Sequence, residues 1–186
     1  MRLFAAIELP DDVRGRLAST AAGLRARLEP LDARWVEPEK LHLTVRFIGQ
    51  VDDSRAPELI ETICDAIPAP PFDLSFRGCG VFPASGPPRV IWIGVADGAP
   101  SLARIHQVLN GRLVPFGFEP ERRAFSAHLT LARVRHPRGG ASVRAAVRAF
   151  TVPEIACHVS QVTLFRSHLS PRGSRYEIVA TIPLRA

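Results

Sequence analysis

Two short stretches of the sequence, LHLTV at residues 41–45 and AHLTL at residues 127–131, decide the fold. Both contain His-x-Thr followed by an apolar residue, and both lie in runs rich in β-forming side chains. Nearly half the chain separates them, which is far longer than the period of a solenoid repeat. The repeat therefore predicts two lobes built on one plan and related by a pseudo-two-fold axis.

The alternation of side chains along a strand gives the repeat its chemical meaning. In the first stretch His42 and Thr44 share one face, and Leu41, Leu43 and Val45 share the other. The second stretch repeats this pattern, with His128 and Thr130 opposite Leu129 and Leu131. Apolar faces can be buried against helices, whereas polar faces must meet water or line a cleft. Two such strands side by side would present two imidazoles and two hydroxyls to one concave surface.

Such a surface suits a phosphate group. Because histidine titrates near neutral pH, a neutral imidazole can accept a proton from water and an imidazolium can donate one to a leaving oxygen. Threonine hydroxyls can donate hydrogen bonds to the non-bridging phosphate oxygens. A single His-x-Thr is common in ordinary strands, so the pair, on strands of matching apolar pattern, is what indicates a site.

The remainder of the chain alternates between strand and helix patterns. Helices are predicted from Pro10 to Pro30 and over 55–67, 99–114 and 141–149, where apolar residues recur at helical spacing. Strands are predicted over 2–9, 33–37, 41–49, 72–82, 89–95, 127–135, 160–167 and 175–183. This order indicates an α+β or α/β sandwich with helices packed against sheet. No linker interrupts it, so we expect a single domain over residues 1–186 made of two lobes.

Composition narrows the cellular setting. Apolar residues make up 46% of the chain, enough for a packed interior. Three cysteines without a CxxC spacing argue against a disulfide framework and a thiolate zinc site, and favour a reduced, cytoplasmic protein.

The formal net charge is +6, and all but one of the basic residues are arginines. That bias fits either a nucleic-acid partner or a genome whose codon usage favours arginine, and the sequence leaves both open. No apolar run is long enough to span a membrane.

Four segments together resemble one known family. They are RLFAAIELP (2–10), RWVEPEKLHLTVRFIG (34–49), AHLTLARV (127–134) and VTLFRSHLSPRGSRYEIV (162–179). They are similar to the RNA 2′,3′-cyclic phosphodiesterases of the two-histidine (2H) phosphoesterase superfamily, also called 2′-5′ RNA ligases. The resemblance implies an α+β, bilobal fold, with two pseudo-symmetric lobes of antiparallel sheet, outer helices and a central cleft. It also implies hydrolysis of RNA 2′,3′-cyclic phosphate ends to 2′-phosphates with no metal or other cofactor, and a reversible 2′-5′ ligation.

The resemblance also assigns residue roles. His42 matches the general acid toward the leaving oxygen and His128 the general base toward water, although the sequence does not fix this polarity. Thr44, Thr130 and Arg133 match the phosphate-binding residues. In a regular strand Arg133 points away from His128, so its role requires a β-bulge or a strand end. Arg46 shares the parity of His42 and Thr44, but the family gives it no fixed role.

The expected partner is RNA with a 2′,3′-cyclic phosphate end, with tRNA fragments as one candidate source, bound by a monomer. An arginine-rich segment at 121–148 predicts either an RNA-backbone patch or a solvated face. It contains Arg122, Arg123, Arg133, Arg135, Arg138, Arg144 and Arg148. The other histidines (His106, His136, His158 and His168) have no metal-ligand spacing and are predicted to be structural or solvated.

Two other functions remain as alternatives. The chain could be a non-catalytic module that binds RNA ends or phosphate, with histidines that only recognise the anion. A metal-dependent hydrolase is disfavoured because no acidic residue accompanies either His-x-Thr.

Overall fold

The computed structural model describes residues 1–121, 124–136, 140–170 and 173–186. Its helices are α1 (Asp11–Arg27), α2 (Ala56–Cys64), α3 (Ala99–Leu113) and α4 (Gly140–Arg148). Its strands are β1 (Arg2–Glu8), β2 (Ala33–Trp35), β3 (His42–Gln50), β4 (Ile67–Pro68), β5 (Phe72–Phe82), β6 (Val90–Val95), β7 (His128–Val134), β8 (Ile155–Val159), β9 (Gln161–Ser170) and β10 (Gly173–Arg185). None of the helices in these ranges is long and apolar enough to cross a membrane.

The strands form two five-stranded sheets, in the orders β3-β1-β9-β10-β4 and β2-β7-β6-β5-β8. All neighbouring strands pair antiparallel except the short β4, which pairs parallel with β10. The central parts of the two sheets correspond, because β3, β1 and β9 occupy the same relative places as β7, β6 and β5. The α+β, bilobal fold with two similar lobes, expected from the repeat and from the resemblance, is confirmed.

The first lobe takes strands from both ends of the chain, whereas the second is built from the middle of the chain. The first sheet combines β1 and β3 with β9 and β10, and the second combines β6 and β7 with β5. One hydrophobic cluster runs through both sheets and the four helices. It includes Leu43, Val45, Leu129 and Leu131, each at most 2% exposed, as predicted for the apolar faces of the motif strands. Burying each such side chain contributes about 1.5–3 kcal/mol, so the motif strands are fixed by their apolar faces and leave the polar faces outward.

Two strands and one helix end differ from the sequence prediction. Helix α2 stops at Cys64 rather than at 67, because Asp65 is extended and Ile67–Pro68 form β4. Arg112 of α3 donates to the carbonyl oxygens of Ile63, Asp65 and Ala66, which satisfies the end of the helix with a side chain from another element. Strand β8 was not predicted; it is fixed by antiparallel pairing with β5. Pro171 and Arg172, between the predicted strands 160–167 and 175–183, lie outside the described residues.

Gly80 and Trp92 pack closely against each other in the second sheet, near His128. A Cβ added at Gly80 would lie 2.2 Å from the Trp92 ring, and the centroid of that ring is 6.3 Å from the His128 ring. We expect Gly80→Ala to displace Trp92, to destabilise the fold by about 1–3 kcal/mol, and to shift the tryptophan fluorescence. Denaturant unfolding and emission spectra measure both effects.

Gly111→Ala is the matched control, because no atom lies within 4 Å of the added Cβ in helix α3. That change should stabilise the protein by about 0.5–1 kcal/mol, since alanine is the better helix former. Equal stability of the Gly80→Ala variant and the wild type would contradict the tight packing of Trp92 against Gly80.

Candidate active site

A cleft of about 880 Å³ contains the polar faces of both motif strands. Its lining includes all five predicted site residues: His42, Thr44, His128, Thr130 and Arg133. Strands β3 and β7 approach each other here, although they belong to different sheets. The volume is in the range of pockets that hold small organic ligands and nucleotides.

The two histidines are held in the same way. The Nδ1–H of His42 donates to the carbonyl oxygen of Lys40 at 2.8 Å, and the Nδ1–H of His128 donates to that of Ser126 at 2.7 Å. In both cases the acceptor lies two residues before the histidine. Because a carbonyl oxygen can only accept, Nδ1 carries the proton in each ring, which leaves Nε2 as the nitrogen free for proton transfer.

Matching β-bulges follow the two motifs. Ala6 and Ala5 of β1 pair with Thr44 and Arg46, so Val45 is the extra residue in β3. Trp92 and Ile91 of β6 pair with Thr130 and Ala132, so Leu131 is the extra residue in β7. A bulge shifts the parity of every later side chain in its strand.

The bulges decide which residues return to the cleft. Arg133 lines the cleft, because the Leu131 bulge turns its side chain to the same face as His128 and Thr130. At the corresponding position of β3, Phe47 lines the cleft with a ring that is 52% exposed. The expected parity of Arg46 with His42 and Thr44 is wrong, because the Val45 bulge turns Arg46 to the buried side, where it is 6% exposed.

Aromatic rings surround each imidazole, and more densely around His42. Phe4 lies 5.0 Å from His42, and Tyr176 meets its ring edge-on at 5.2 Å. Phe82 lies edge-on to His128 at 4.9 Å. Burial lowers the pKa of His42 below its ordinary value, because it penalises the imidazolium, and the hydrogen bond to the Lys40 carbonyl opposes that shift.

The cleft has an excess of basic side chains. Arg2, Lys40 and Arg89 line it together with Arg133, and Glu121 is the acidic residue among the described lining. Sequence reasoning missed the first three as site residues, and it also missed Tyr176 and Phe82. No motif marks these five residues, because they come from five different strands or loops. The pairing between strands decides which of their side chains face the cleft. The alternation within each strand was the available signal, but it does not identify which face meets the cleft.

The other histidines lie away from the cleft lining. His106 is 5% exposed inside the protein. The exposed rings of His136 and His158 pair with Asp32 at 2.6 Å and Asp73 at 2.9 Å. His168 pairs with Glu177 at 2.7 Å. Among the residues that the structure describes, no cluster of three histidine, cysteine or acidic side chains could hold a metal ion.

The arginines of the 121–148 segment that the structure describes have different surroundings. Arg133 lines the cleft, whereas Arg144 donates to the Pro83 carbonyl at 3.2 Å and so ties α4 to the loop after β5. Arg135 is 62% exposed and lies 3.7 Å from Asp32. Arg122, Arg123 and Arg138 lie outside the described residues. The choice between an RNA-backbone patch and a solvated face therefore stays open.

Comparison with known proteins gives a consistent result. The chain matches the LigT-like phosphoesterase family twice in succession, over residues 7–92 and 93–176. The chain belongs to this family. Each match contains one His-x-Thr motif, and the boundary between the matches falls within β6. The duplication predicted from LHLTV and AHLTL is thus the duplication of the family's own unit.

Relatives of this phosphoesterase family extend over nearly the whole chain. The chain is 33% identical over 184 residues to a protein of Archaeoglobus fulgidus and 32% identical over 180 residues to one of Methanothermobacter thermautotrophicus. These matches cover 95% of this chain and 97% and 95% of the relatives. Both relatives are named RNA 2′,3′-cyclic phosphodiesterase.

Solved structures of the family agree with the fold. Escherichia coli LigT in complex with 3′-AMP superposes with a TM-score of 0.77 at 26% identity, covering 100% of this chain and 98% of that one. The protein TT0787 of Thermus thermophilus superposes with a TM-score of 0.76 at 28% identity and the same coverage.

The lowered pKa of His42 predicts how stability depends on pH. Its folded-state pKa lies below its unfolded value of about 6.5, so the unfolded state binds more protons between the two values. The contribution is therefore present above the unfolded pKa and is lost as pH falls through the folded pKa. We expect His42→Asn, which can still donate to the Lys40 carbonyl, to lose less stability on acidification below pH ~6.5 than the wild type. Urea unfolding across this range measures it, and parallel curves for the two proteins would refute burial as the cause.

Proposed function

We propose that the protein hydrolyses 2′,3′-cyclic phosphate ends of RNA to 2′-phosphates by metal-independent general acid–base catalysis with His42 and His128. One observation carries the proposal: both imidazoles line one cleft, and each is bound at Nδ1 so that Nε2 remains for proton transfer. The Archaeoglobus and Methanothermobacter relatives carry the name RNA 2′,3′-cyclic phosphodiesterase, which supports the choice of substrate.

The chemistry requires one proton to be removed and one to be supplied. His128 Nε2 accepts a proton from water as the water oxygen forms a bond to phosphorus. The bond from phosphorus to the 3′-oxygen breaks, and the Nε2–H of protonated His42 transfers its proton to that oxygen. The product carries a 2′-phosphate and a 3′-hydroxyl, and proton exchange with solvent restores both rings. Each proton transfer contributes about 10²–10⁴-fold to the rate.

The other polar lining residues stabilise the phosphate. Thr44 and Thr130 lie two residues after the histidines on the same strand faces, so their hydroxyls can donate to the non-bridging oxygens. Arg133 adds a permanent cation with a planar donor fork. Charge accumulates on these oxygens as water attacks, and donors already in place stabilise it without reorganising.

The assignment of His42 as the general acid requires that its imidazole be protonated when the substrate is bound. Burial lowers the pKa of His42, which favours the neutral ring in the free protein. The acid role therefore requires the anionic phosphodiester to favour the imidazolium once it is bound nearby. The opposite polarity, with His42 as the base, would need no such coupling. The two assignments predict different responses to the leaving group.

Ligation would use the same groups in the same cleft. A 5′-hydroxyl in the place of water would yield a 2′-5′ linkage, and the reverse reaction would regenerate the cyclic phosphate. This extension needs space for a second RNA end beside the cyclic phosphate.

The proposal is tested with a short RNA that ends in a 2′,3′-cyclic phosphate, incubated in the presence of a chelator. We expect full activity and a 2′-phosphate product, identified by chromatography against both isomers. His42→Ala and His128→Ala should each remove most turnover while the fold persists, because Leu43, Val45, Leu129 and Leu131 still hold both strands in the core. The double variant should be little worse than either single variant, since the pair acts as a unit. Binding without turnover would instead support the RNA-end-binding alternative, and activity that returns only with added metal would exclude this mechanism.

Leaving-group dependence assigns the roles. With a substrate whose leaving group needs no protonation, the variant lacking the general acid should recover more activity than the one lacking the base. Rescue of His42→Ala is the expected result. Rescue of His128→Ala would reverse the polarity.

Arg133 and Arg135 form a matched pair for testing phosphate stabilisation. Both are exposed arginines at the end of β7, but Arg133 lines the cleft, whereas Arg135 lies by Asp32. We expect Arg133→Gln to lower kcat by about 10²–10³-fold, as found when one donor to a developing oxyanion is removed. Arg135→Gln should stay within twofold of the wild type on a dinucleotide. Similar losses for both variants would point to general electrostatic attraction instead.

A further inference from the structure

A partly buried ion-pair cluster, in which the Glu121 side chain is 37% exposed, joins strand β3, which carries His42, to the segment that leads into β7 and His128. The Arg46 side chain is 7% exposed. Its Nη1 donates to Glu121 Oε1 at 2.6 Å, and its Nη2 donates to the Glu119 carbonyl at 2.9 Å. A buried guanidinium that loses its carboxylate is strongly destabilising, so this connection is costly to break.

His106 of α3 completes the cluster. Its Nδ1–H donates to the Val45 carbonyl at 2.8 Å, and its Nε2 lies 4.0 Å from Glu121 Oε2. Phe125 stacks on the ring at a centroid distance of 4.6 Å. Val45 is the bulged residue of β3. At the equivalent bulge in β7, the Leu131 carbonyl accepts from the backbone N–H of Val36 at 2.8 Å, so the first motif relies on a side chain where the second uses backbone.

Phe125 connects the cluster to the second histidine. The Ser126 carbonyl, which fixes the His128 ring, directly follows Phe125. Glu121 and Phe125 are both held against β3 and His106. The orientation of His128 is thus tied to the strand that carries His42, although the two histidines belong to different sheets.

We propose that Glu121 is a positioning residue that sets the His128 Nε2 relative to the His42 Nε2 by anchoring residues 119–121 to Arg46, beside Phe125, which stacks on His106. The inference rests on the proposed function of the two histidines. Glu121 lines the cleft, but its two carboxylate oxygens face Arg46 and His106. It acts through the segment that it anchors.

Glu121→Gln is the primary variant, because it keeps the size of the side chain and removes its charge. We expect kcat to fall by about 10²-fold, the loss associated with displacing a reacting group by about 1 Å. KM should stay within about threefold, and both limbs of the pH–rate profile should keep their positions. Loss or displacement of one limb would make Glu121 a proton-transfer group and overturn the positioning role. An unchanged kcat would overturn it as well.

Two further variants separate positioning from general stability. Arg112→Met removes a guanidinium that binds three carbonyl oxygens at the end of α2, outside the cleft lining. It should lower Tm and leave kcat within twofold. The double variant Arg46→Met/Glu121→Gln leaves neither charge unpaired, so its Tm should exceed that of Glu121→Gln while kcat stays low. Recovery of kcat together with Tm, or an equal loss of kcat in Arg112→Met, would reduce the cluster to a stabilising element.

A measurement without turnover keeps this inference distinct from the proposed function. In the wild type, inorganic phosphate should shift the imidazole NMR signals of His42 and His128 with one Kd. In Glu121→Gln we expect the His128 signal to respond at least tenfold more weakly than in the wild type. If the wild type fails to hydrolyse cyclic phosphate but this difference persists, the function is wrong and the positioning role stands. If the wild type is active and both signals of Glu121→Gln respond as in the wild type, the positioning role is wrong.

Discussion

The hydrogen bond from each imidazole Nδ1–H to the carbonyl two residues earlier is the interaction on which the cleft depends. A histidine on an exposed strand face would otherwise rotate about χ1 and χ2 and exchange tautomers. The bond fixes both, so that the same nitrogen of each ring faces the cleft. Because the acceptors, Lys40 and Ser126, belong to the segments that enter the strands, the chain must be correctly placed before each strand begins.

The two halves of the site are alike in backbone and different in side chains. The bulges at Val45 and Leu131 occupy equivalent places, yet they bring Phe47 to the cleft in one lobe and Arg133 in the other. Of these two equivalent residues only Arg133 carries a charge, so the two lobes present different chemistry to the cleft at this position although the fold has a pseudo-two-fold axis.

Exchange of strands between the lobes joins the duplicated halves into one unit. Strands β9 and β10 extend the sheet that begins with β1 and β3, and β5 extends the sheet built on β6 and β7. Neither half-chain can complete a sheet without the other, and a single hydrophobic cluster spans both. The relative position of His42 and His128 is consequently set by packing across the whole core and by the ion-pair cluster at Glu121.

The two histidines, the two threonines, the duplication and the apolar faces of the motif strands could be predicted from the amino-acid sequence, because strand alternation and repetition are local properties. The sequence also predicted that Arg133 needs a β-bulge to reach the cleft, but not whether that bulge forms. The remaining features depend on contacts between elements that are distant in the chain. The bulges depend on pairing with β1 and β6, and the bulge in β3 turns the Arg46 side chain to the buried side. Strand β8 forms because it pairs with β5, and α2 ends where Arg112 donates to the carbonyl oxygens of Ile63, Asp65 and Ala66. Arg2, Arg89 and Tyr176 line the cleft through pairings between strands distant in sequence, and non-local pairing leaves no periodic signal in any single segment.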